Sequence, residues 1–350
     1  MKQSRLLQDI LSQPKSLDEV LSYHSGPGRA ALQNAAELLT SGKQVILTGM
    51  GASMYALTQL EYSLNSRNIK AFLVEAAELL HYRQQLCSDA VVLIVSRSGE
   101  SVEVVRLLDA LDGRARLIGV ANDPESILAR KTDVYIHIGS LPDEMVAIQS
   151  YTGTLLTMRL LDNAVTHQSL DRDRDLNLAL AALPSLIANE VKTASKWDDL
   201  LKLGSPVYLL GRGPSYGSVL EGALLFHEIS KAPAVGMQAA SFRHGPVEIV
   251  DEQFVGVIFA AAGPTRNLNL GLARDIDCFG GHVIVIGPED EDTQGLKLCP
   301  IAKVSETLAP LLEIVPVQCA AVRLAELRRL KIGSFRYTPQ VTRDEASFAH

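Results

Sequence analysis

One feature limits the fold of this 350-residue chain more than any other: the same order of elements occurs twice. The segments 44–62 (QVILTGMGASMYALTQLEY) and 206–226 (PVYLLGRGPSYGSVLEGALLF) both contain an apolar strand, a Gly-x-Gly-x-Ser turn and a helix. The later strands AVVLIVSRSGES and RLIGVAND are matched by QFVGVIFAAAGPTR and HVIVIGPED. Because successive elements agree in order and spacing, the sequence predicts two copies of one α/β unit.

The first copy contains short runs in which nearly every residue is hydrophobic. These runs are 44–51, 70–76, 89–96, 115–122 and 133–139. A strand that is apolar on both faces is typical of a parallel sheet, because helices cover such a sheet on both sides. Helical patterns follow these runs, so we expect an α/β/α arrangement in each copy.

The repeat also predicts the domain boundaries. Residues 1–40 have a helical pattern, with Leu6, Leu7, Ile10 and Leu11 on one face. We expect a first domain at 41–167, a helical connection at 168–203, a second domain at 204–335 and a C-terminal tail at 336–350.

Composition excludes several classes of partner. Hydrophobic residues make up 47 % of the chain and the formal net charge is -7, with no long basic block. Nucleic acid and membrane surfaces require a concentrated positive face, so neither is an expected partner. The four cysteines lack metal-binding spacing and lie among apolar residues, which favours reduced core thiols. With no signal-like segment and no membrane span, we expect a cytoplasmic protein.

Two turns of the first copy are candidates for binding an anion. GMGAS (49–53) and SRSGES (96–101) each connect a strand to a helix, and parallel strands place such turns at one edge of the sheet. The hydroxyls of the serines and the backbone amides around Gly99 are suitable donors for phosphate. Glu100 would favour the positive end of the following helix rather than act as a ligand of the anion. The alternative is a plain polar loop with an N-capping serine.

A dinucleotide site is a weaker interpretation of the same turns. The third glycine of GxGxxG is replaced by Met54 in the first copy and by Tyr216 in the second. Glu75, at the end of the second strand, would be the partner of a ribose. No P-loop lysine follows either turn, and no Cys/His spacing suggests a metal.

The second copy carries different chemistry, because AAAGPTR has lost the serines. Its helix instead places Glu221, Leu225 and Glu228 on one stripe, and His244 precedes a Gly-Pro turn. A carboxylate and an imidazole can exchange protons with a substrate. The structural alternatives are a buried ion pair for Glu228 and a hydrogen-bonded turn residue for His244.

These motifs together resemble the double sugar-isomerase (SIS) domain family. The resemblance covers about 40–345 and rests on GMGAS, SRSGES, LGRGPSYGSVLEGALLFHEIS, FRHGP and ETLAPLLEIVP. The family includes the isomerase half of glucosamine-6-phosphate synthase, amino-sugar-phosphate deaminases and fructosamine deglycases. It implies two tandem SIS-type three-layer α/β/α domains, each with a mostly parallel five-stranded, flavodoxin-like sheet.

The resemblance implies a role for each candidate site residue. Glu228 would move a proton between C1 and C2 of a sugar phosphate, and His244, supplied by the other subunit of a homodimer, would open the ring. The positions implied to bind phosphate and sugar are Gly51, Ala52, Ser53, Ser96, Arg97, Ser98, Ser101, Val146, Ala147, Glu221 and Gln340. No cofactor and no metal is implied.

The chain also departs from the family pattern. A lysine of the synthases is replaced in the tail by Pro339 and Gln340, another by Leu225, and the usual glutamine between the phosphate serines is Arg97. We also expect no glutaminase domain before the repeat. We therefore expect a phosphosugar isomerase or amino-sugar-phosphate deaminase acting on a hexose 6-phosphate. The alternative is a sugar-phosphate sensor without turnover.

Overall fold

A computed structural model describes residues 4–169, 172–204, 206–332, 334–337 and 339–346. The chain divides into two compact units. The first-copy unit contains Lys15–Asp173 and Phe335–His350, and the second-copy unit contains Met1–Pro14 and Arg174–Ser334. The domain boundaries given above stay predictions.

The first-copy unit is built on a parallel sheet with strand order β2-β1-β3-β4-β5. The central strands are buried on both faces, as their continuous apolar sequences predict. The strands are β1 Val45–Gly49, β2 Ala71–Leu73, β3 Val91–Val95, β4 Arg116–Ala121 and β5 Val134–His137.

Helices of the first-copy unit bury an apolar stripe against this sheet. Val104, Leu107 and Leu111 of α6, for example, pack into one core with Val92 and Ile94 of β3. The helices are α1 Arg5–Ser25, whose first ten residues belong to the other unit, α2 Arg29–Leu39, α3 Ala52–Tyr55, α4 Thr58–Asn65, α5 Ala76–Tyr82, α6 Val102–Leu111, α7 Ile127–Lys131 and α8 Gln149–Val165.

The second-copy unit repeats the topology. Its parallel sheet has the order β7-β6-β8-β9-β10, so β6 and β8 occupy the places of β1 and β3. The strands are β6 Val207–Gly211, β7 Ala234–Gln238, β8 Val255–Phe259, β9 His282–Gly287 and β10 Leu298–Pro300. The predicted fold, two tandem α/β units with five-stranded parallel sheets, is confirmed within the described residues.

The helices of the second-copy unit include one irregular segment. They are α9 Arg174–Lys192, α10 Asp198–Leu201, α11 Tyr216–Leu225, α12 Ala239–Phe242, α13 Arg266–Cys278 and α14 Pro310–Leu327. A π-helix, Phe226–Ser230, continues α11. The sequence pattern did not predict it, because a π-turn keeps the same apolar composition as the α-helix that it extends.

One prediction about a single side chain is wrong, and one helical face is only partly buried. On the face of α1 noted above, Leu6, Leu7 and Ile10 are buried, whereas Leu11 is 41 % exposed. Cys278 was expected in a core but is exposed at the end of α13, whereas Cys87, Cys299 and Cys319 are buried; the four cysteines are free thiols. Among the described helices, none is long and apolar enough to span a membrane.

Candidate functional site

The two candidate turns of the first copy lie at one edge of the sheet. Gly49 and Val95 end the paired strands β1 and β3 in register. A Cβ on Gly49 would lie 2.8 Å from the Val95 carbonyl oxygen, so only glycine permits this close approach. Gly51 has a positive φ of 50° and precedes α3, which begins with Ala52 and Ser53. The chain therefore brings Gly51, Ala52 and Ser53 beside the turn that follows β3.

The Ser96–Ser101 turn is organised by its own serines. Ser96 is 3 % exposed, and its hydroxyl oxygen accepts a hydrogen bond from the Gly99 N–H at 3.1 Å. The Ser98 hydroxyl oxygen accepts one from the Glu100 N–H at 3.2 Å. Gly99 has a φ of 65°, which favours glycine. A hydroxyl that accepts in this way keeps its proton for another acceptor, so the turn can donate from both side chains.

The structure changes which groups can hold an anion. The amides of Gly99 and Glu100, expected as donors, are already bonded to the serines of the turn. The first N–H of α6, that of Val102, donates to the Thr342 carbonyl of the tail at 3.0 Å. The hydroxyls of Ser96, Ser98 and Ser101 are therefore better candidates for donors to an anion than these three amides.

The Glu100 carboxylate binds at the start of a different helix from the one that we expected. α6 begins at Val102, and the Glu100 carboxylate accepts a hydrogen bond from the Ile127 N–H at 2.9 Å. Ile127 is the first residue of α7, so the charge favours the positive end of that helix instead. The prediction that Glu100 is not a ligand of the anion stays a prediction.

Arg97 connects three loops at this edge. Its guanidinium donates to the Met145 and Gln340 carbonyls, each at 3.2 Å, and lies 3.9 Å from the Asp143 carboxylate. The Gln340 side chain in turn donates to the Glu144 carbonyl at 2.6 Å. The structure thus brings Gln340 to the serine turn, and Arg97 anchors the tail there rather than standing as an isolated positive charge.

Asp143 is a residue that the sequence analysis missed. Its buried carboxylate accepts hydrogen bonds from the N–H groups of Ile148 at 3.1 Å and Gln149 at 2.6 Å, at the start of α8. Burial raises the pKa of Asp143, although these hydrogen bonds and Arg97 act in the opposite direction. Asp143 fixes the loop that carries Val146, which is buried, and Ala147, which is half-buried. An acid six residues before the first residue of α8 was the available signal.

The tail is held further along by Glu345. Its carboxylate binds the His81 ring nitrogen at 2.6 Å and also pairs with Arg106. His81 lies in the last turn of α5 and Arg106 in the middle of α6. The tail therefore runs from the serine turn, where Gln340 and Thr342 are bound, onto these two helices.

The two second-copy carboxylates lie in different helical segments. Glu221 is in α11 and is 1 % exposed, whereas Glu228 is in the π-helix and is half-buried. A π-turn contains more residues than an α-turn, so the α-helical spacing does not apply unchanged beyond Leu225, and the shared stripe stays a prediction. π-segments of this kind are frequent at functional sites.

Glu228 and His244 lie at opposite ends of the second-copy sheet. The ring of His227, next to Glu228, is 3.0 Å from the carbonyl oxygen of Ala234, the first residue of β7. His244 is exposed and follows the other end of β7 through the short helix α12. Since β7 rises about 13 Å over its five residues, one chain does not place these two side chains together.

A buried acid of the second-copy unit was also missed. Glu313 on α14 is fully buried and accepts a hydrogen bond from the Ser215 hydroxyl at 2.7 Å. Burial raises its pKa to about 7, and the nearby Glu306 acts in the same direction. Glu313 is the single acidic residue in the apolar helical run PLLEIVPV, and this was the only indication of it in the sequence.

Comparison with known proteins gives consistent matches. The model of the SIS domain matches residues 38–166 and 204–327. A glutamine–fructose-6-phosphate aminotransferase [isomerizing] from Pyrococcus horikoshii is 28 % identical over 335 residues, which cover 92 % of this chain and 55 % of the relative. The chain thus spans about half the length of the curated relatives it matches.

Solved structures share the fold. The C-terminal domain of glucosamine-fructose-6-phosphate aminotransferase from Francisella tularensis has a TM-score of 0.82 at 19 % identity, covering 95 % of this chain and 98 % of that one. Glucosamine-6-phosphate deaminase from Thermotoga maritima has a TM-score of 0.79 at 22 % identity, covering 97 % and 99 %. At these identities the likeness establishes the architecture alone.

Proposed function

Because the chain belongs to the SIS domain family, we propose that it is a phosphosugar isomerase or amino-sugar-phosphate deaminase. Its substrate is a hexose 6-phosphate of the fructose 6-phosphate or glucosamine 6-phosphate type, and a proton moves between C1 and C2. The observation that carries the proposal is the serine-rich Ser96–Ser101 turn, which directly follows β3 and lies beside the carboxyl end of the paired strand β1.

The substrate phosphate is bound by the first-copy unit. Ser53, Ser96, Ser98 and Ser101 donate hydrogen bonds to it, and Arg97 and Gln340 hold the surrounding loops. A dianionic group bound far from the reacting carbons supplies energy for orientation, which an uncharged sugar would lack.

Proton transfer is carried out by Glu228, and ring opening by His244. Because these residues lie at opposite ends of the same sheet, we propose that each site takes Glu228 from one chain and His244 from a second copy. The half-buried position of Glu228 suits this role, because its carboxylate can accept a proton from one carbon and return it to the next while still reaching a substrate.

Isotope exchange tests the chemistry. We expect deuterium from heavy water to appear at C1 or C2 of fructose 6-phosphate or glucosamine 6-phosphate. The label should be lost in Glu228→Gln and retained in the control Glu252→Gln, which changes an exposed carboxylate of the same unit. Exchange that survives Glu228→Gln would contradict the assignment of the base.

Mixing two inactive variants tests the shared site. Glu228→Gln and His244→Asn chains, mixed and reassembled, should regain about a quarter of the wild-type rate, since half of random dimers are mixed and one site in each is intact. If the mixture stays as inactive as its components, the two residues do not act in one site across chains.

A sensor without turnover is the second candidate, and the tail favours it. Where the synthases carry a lysine amine, the Gln340 side chain is bound to the Glu144 carbonyl, so this position anchors the loop. Saturable binding of glucosamine 6-phosphate by the wild-type chain with no label at C1 or C2 would establish the sensor.

A further inference from the structure

The second-copy sheet has a crevice equivalent to the phosphate crevice of the first copy. β6 and β8 stand in the same order as β1 and β3, and each ends in a glycine-containing turn. The turn after β6 contains Gly213 and the turn after β8 contains Gly263. The sequence did not predict an anion site at this crevice, because AAAGPTR lacks the serines of the corresponding turn in the first copy.

The crevice contains a carboxylate of the chain itself. A Cβ on Gly263 would lie 2.4 Å from the carboxyl carbon of Glu306 and 2.6 Å from its Oε2. A Cβ on Gly213 would lie 3.2 Å from Oε1 of the same group. One carboxylate therefore contacts both turns at once, at positions where any side chain would displace it.

The groups around this carboxylate are those of an anion site. Thr265, which precedes α13, donates a hydrogen bond to Glu306, and burial of Glu306 raises its pKa. Arg212, in the turn after β6, reaches Asn269 of α13 at 3.0 Å, and Asn269 donates to the carbonyl of Phe259, the last residue of β8. The Thr265 hydroxyl and the start of α13 thus lie at the carboxylate, as at sites that bind phosphate, while Arg212 links the turn after β6 to α13.

We propose that the crevice between the carboxyl ends of β6 and β8 is a second anion-binding site, and that the chain fills it with its own Glu306 carboxylate. The ligand class is a tetrahedral or carboxylate oxyanion, such as phosphate or acetate. Glu306 thereby excludes external phosphate from the second copy. It also fastens together the two turns that precede α11 and α13.

Phosphate stoichiometry tests this proposal. Titration of the full chain with inorganic phosphate by calorimetry should give one more site per chain in Glu306→Ala than in wild type. Glu306→Gln should gain none, because the amide still fills the crevice. Glu289→Ala, which removes an exposed carboxylate of the same unit, is the control and should also gain none.

The added site should depend on Thr265. Thr265→Val in the Glu306→Ala chain should weaken the added phosphate site about tenfold, the loss expected for one hydrogen bond to a charged group. The difference between variant and wild type does not depend on whether the first copy binds phosphate. If the first copy does not bind phosphate, the site common to both chains is missing and only the added one is measured.

If folded Glu306→Ala binds the same number of phosphate ions per chain as the wild type, the proposal is overturned. If that variant does not fold, Glu306→Ser replaces it. If neither folds in chloride, refolding in phosphate or acetate decides, with near-ultraviolet circular dichroism as the measurement. Recovery of the native spectrum supports an anion site, and no recovery in either anion refutes it.

Discussion

Replacing Glu313 by glutamine should stabilise the chain above neutral pH and leave it unchanged in acid. Glu313 is fully buried, and burial raises its pKa from 4.5 to about 7. A carboxyl with a raised pKa binds its proton more tightly in the folded state. Its contribution to stability is therefore complete below about pH 4.5 and is lost as pH rises through about 7.

The size of the effect follows from the two pKa values. Each pKa unit of difference between the unfolded and the folded chain corresponds to about 1.4 kcal/mol of unfolding free energy. The shift from 4.5 to about 7 therefore lowers the unfolding free energy of the wild-type chain by about 3 kcal/mol above pH 8. Glutamine does not ionise, has nearly the same shape and keeps an oxygen to accept the hydrogen bond of Ser215. Glu313→Gln should therefore recover most of this free energy at high pH.

Urea unfolding followed by tryptophan fluorescence measures this difference. The single tryptophan, Trp197, is buried in the same unit as Glu313, so the signal reports the unit that contains the change. We expect the difference in unfolding free energy between Glu313→Gln and wild type to be near zero at pH 4.5 and about 3 kcal/mol at pH 8.5. Glu289→Gln, an exposed control, should show no such change. A difference that is equal at both pH values would refute the argument.

Three further predictions use other parts of the structure. Gly99→Ala should lower stability by about 2–4 kcal/mol in thermal melting and weaken phosphate binding, because φ is 65° and the added Cβ would lie 2.4 Å from the Ser126 hydroxyl oxygen. Burial lowers the pKa of His24 to about 4, so the stability that the neutral ring contributes is complete above pH 6.5 and is lost as pH falls through about 4. His24→Gln should therefore flatten the dependence of stability on pH between these two values. Cys278 should react with Ellman's reagent much faster than the buried thiols, and Cys278→Ser should abolish the fast phase.

Much of the fold could be predicted from the sequence because its signals are local. A strand such as VVLIV has no polar face, so it must lie inside a parallel sheet that helices cover. The Gly-x-Gly-x-Ser turns mark strand ends by their composition alone. The confirmed SIS resemblance adds the tandem arrangement, since it matches in both halves of the chain.

The candidate site could be predicted only in part. The serines of the 96–101 turn were identified because they follow directly on a buried strand. Which donors remain for an anion depends on hydrogen bonds inside the turn and on Thr342 of the tail, far away in sequence. The roles of Glu100 and Arg97 were missed for the same reason, since their partners lie on other loops.

The sequence by itself determined two parallel α/β units and a polar turn suited to phosphate in the first of them, because hydrophobic period and glycine placement act over a few residues. The tertiary structure alone decided that Glu228 lies in a π-helix and that Glu306 fills the second crevice. The Glu306 contacts join groups from distant parts of the chain, and the desolvation and close contact that set the chemistry of such a carboxylate do not exist until the chain has folded.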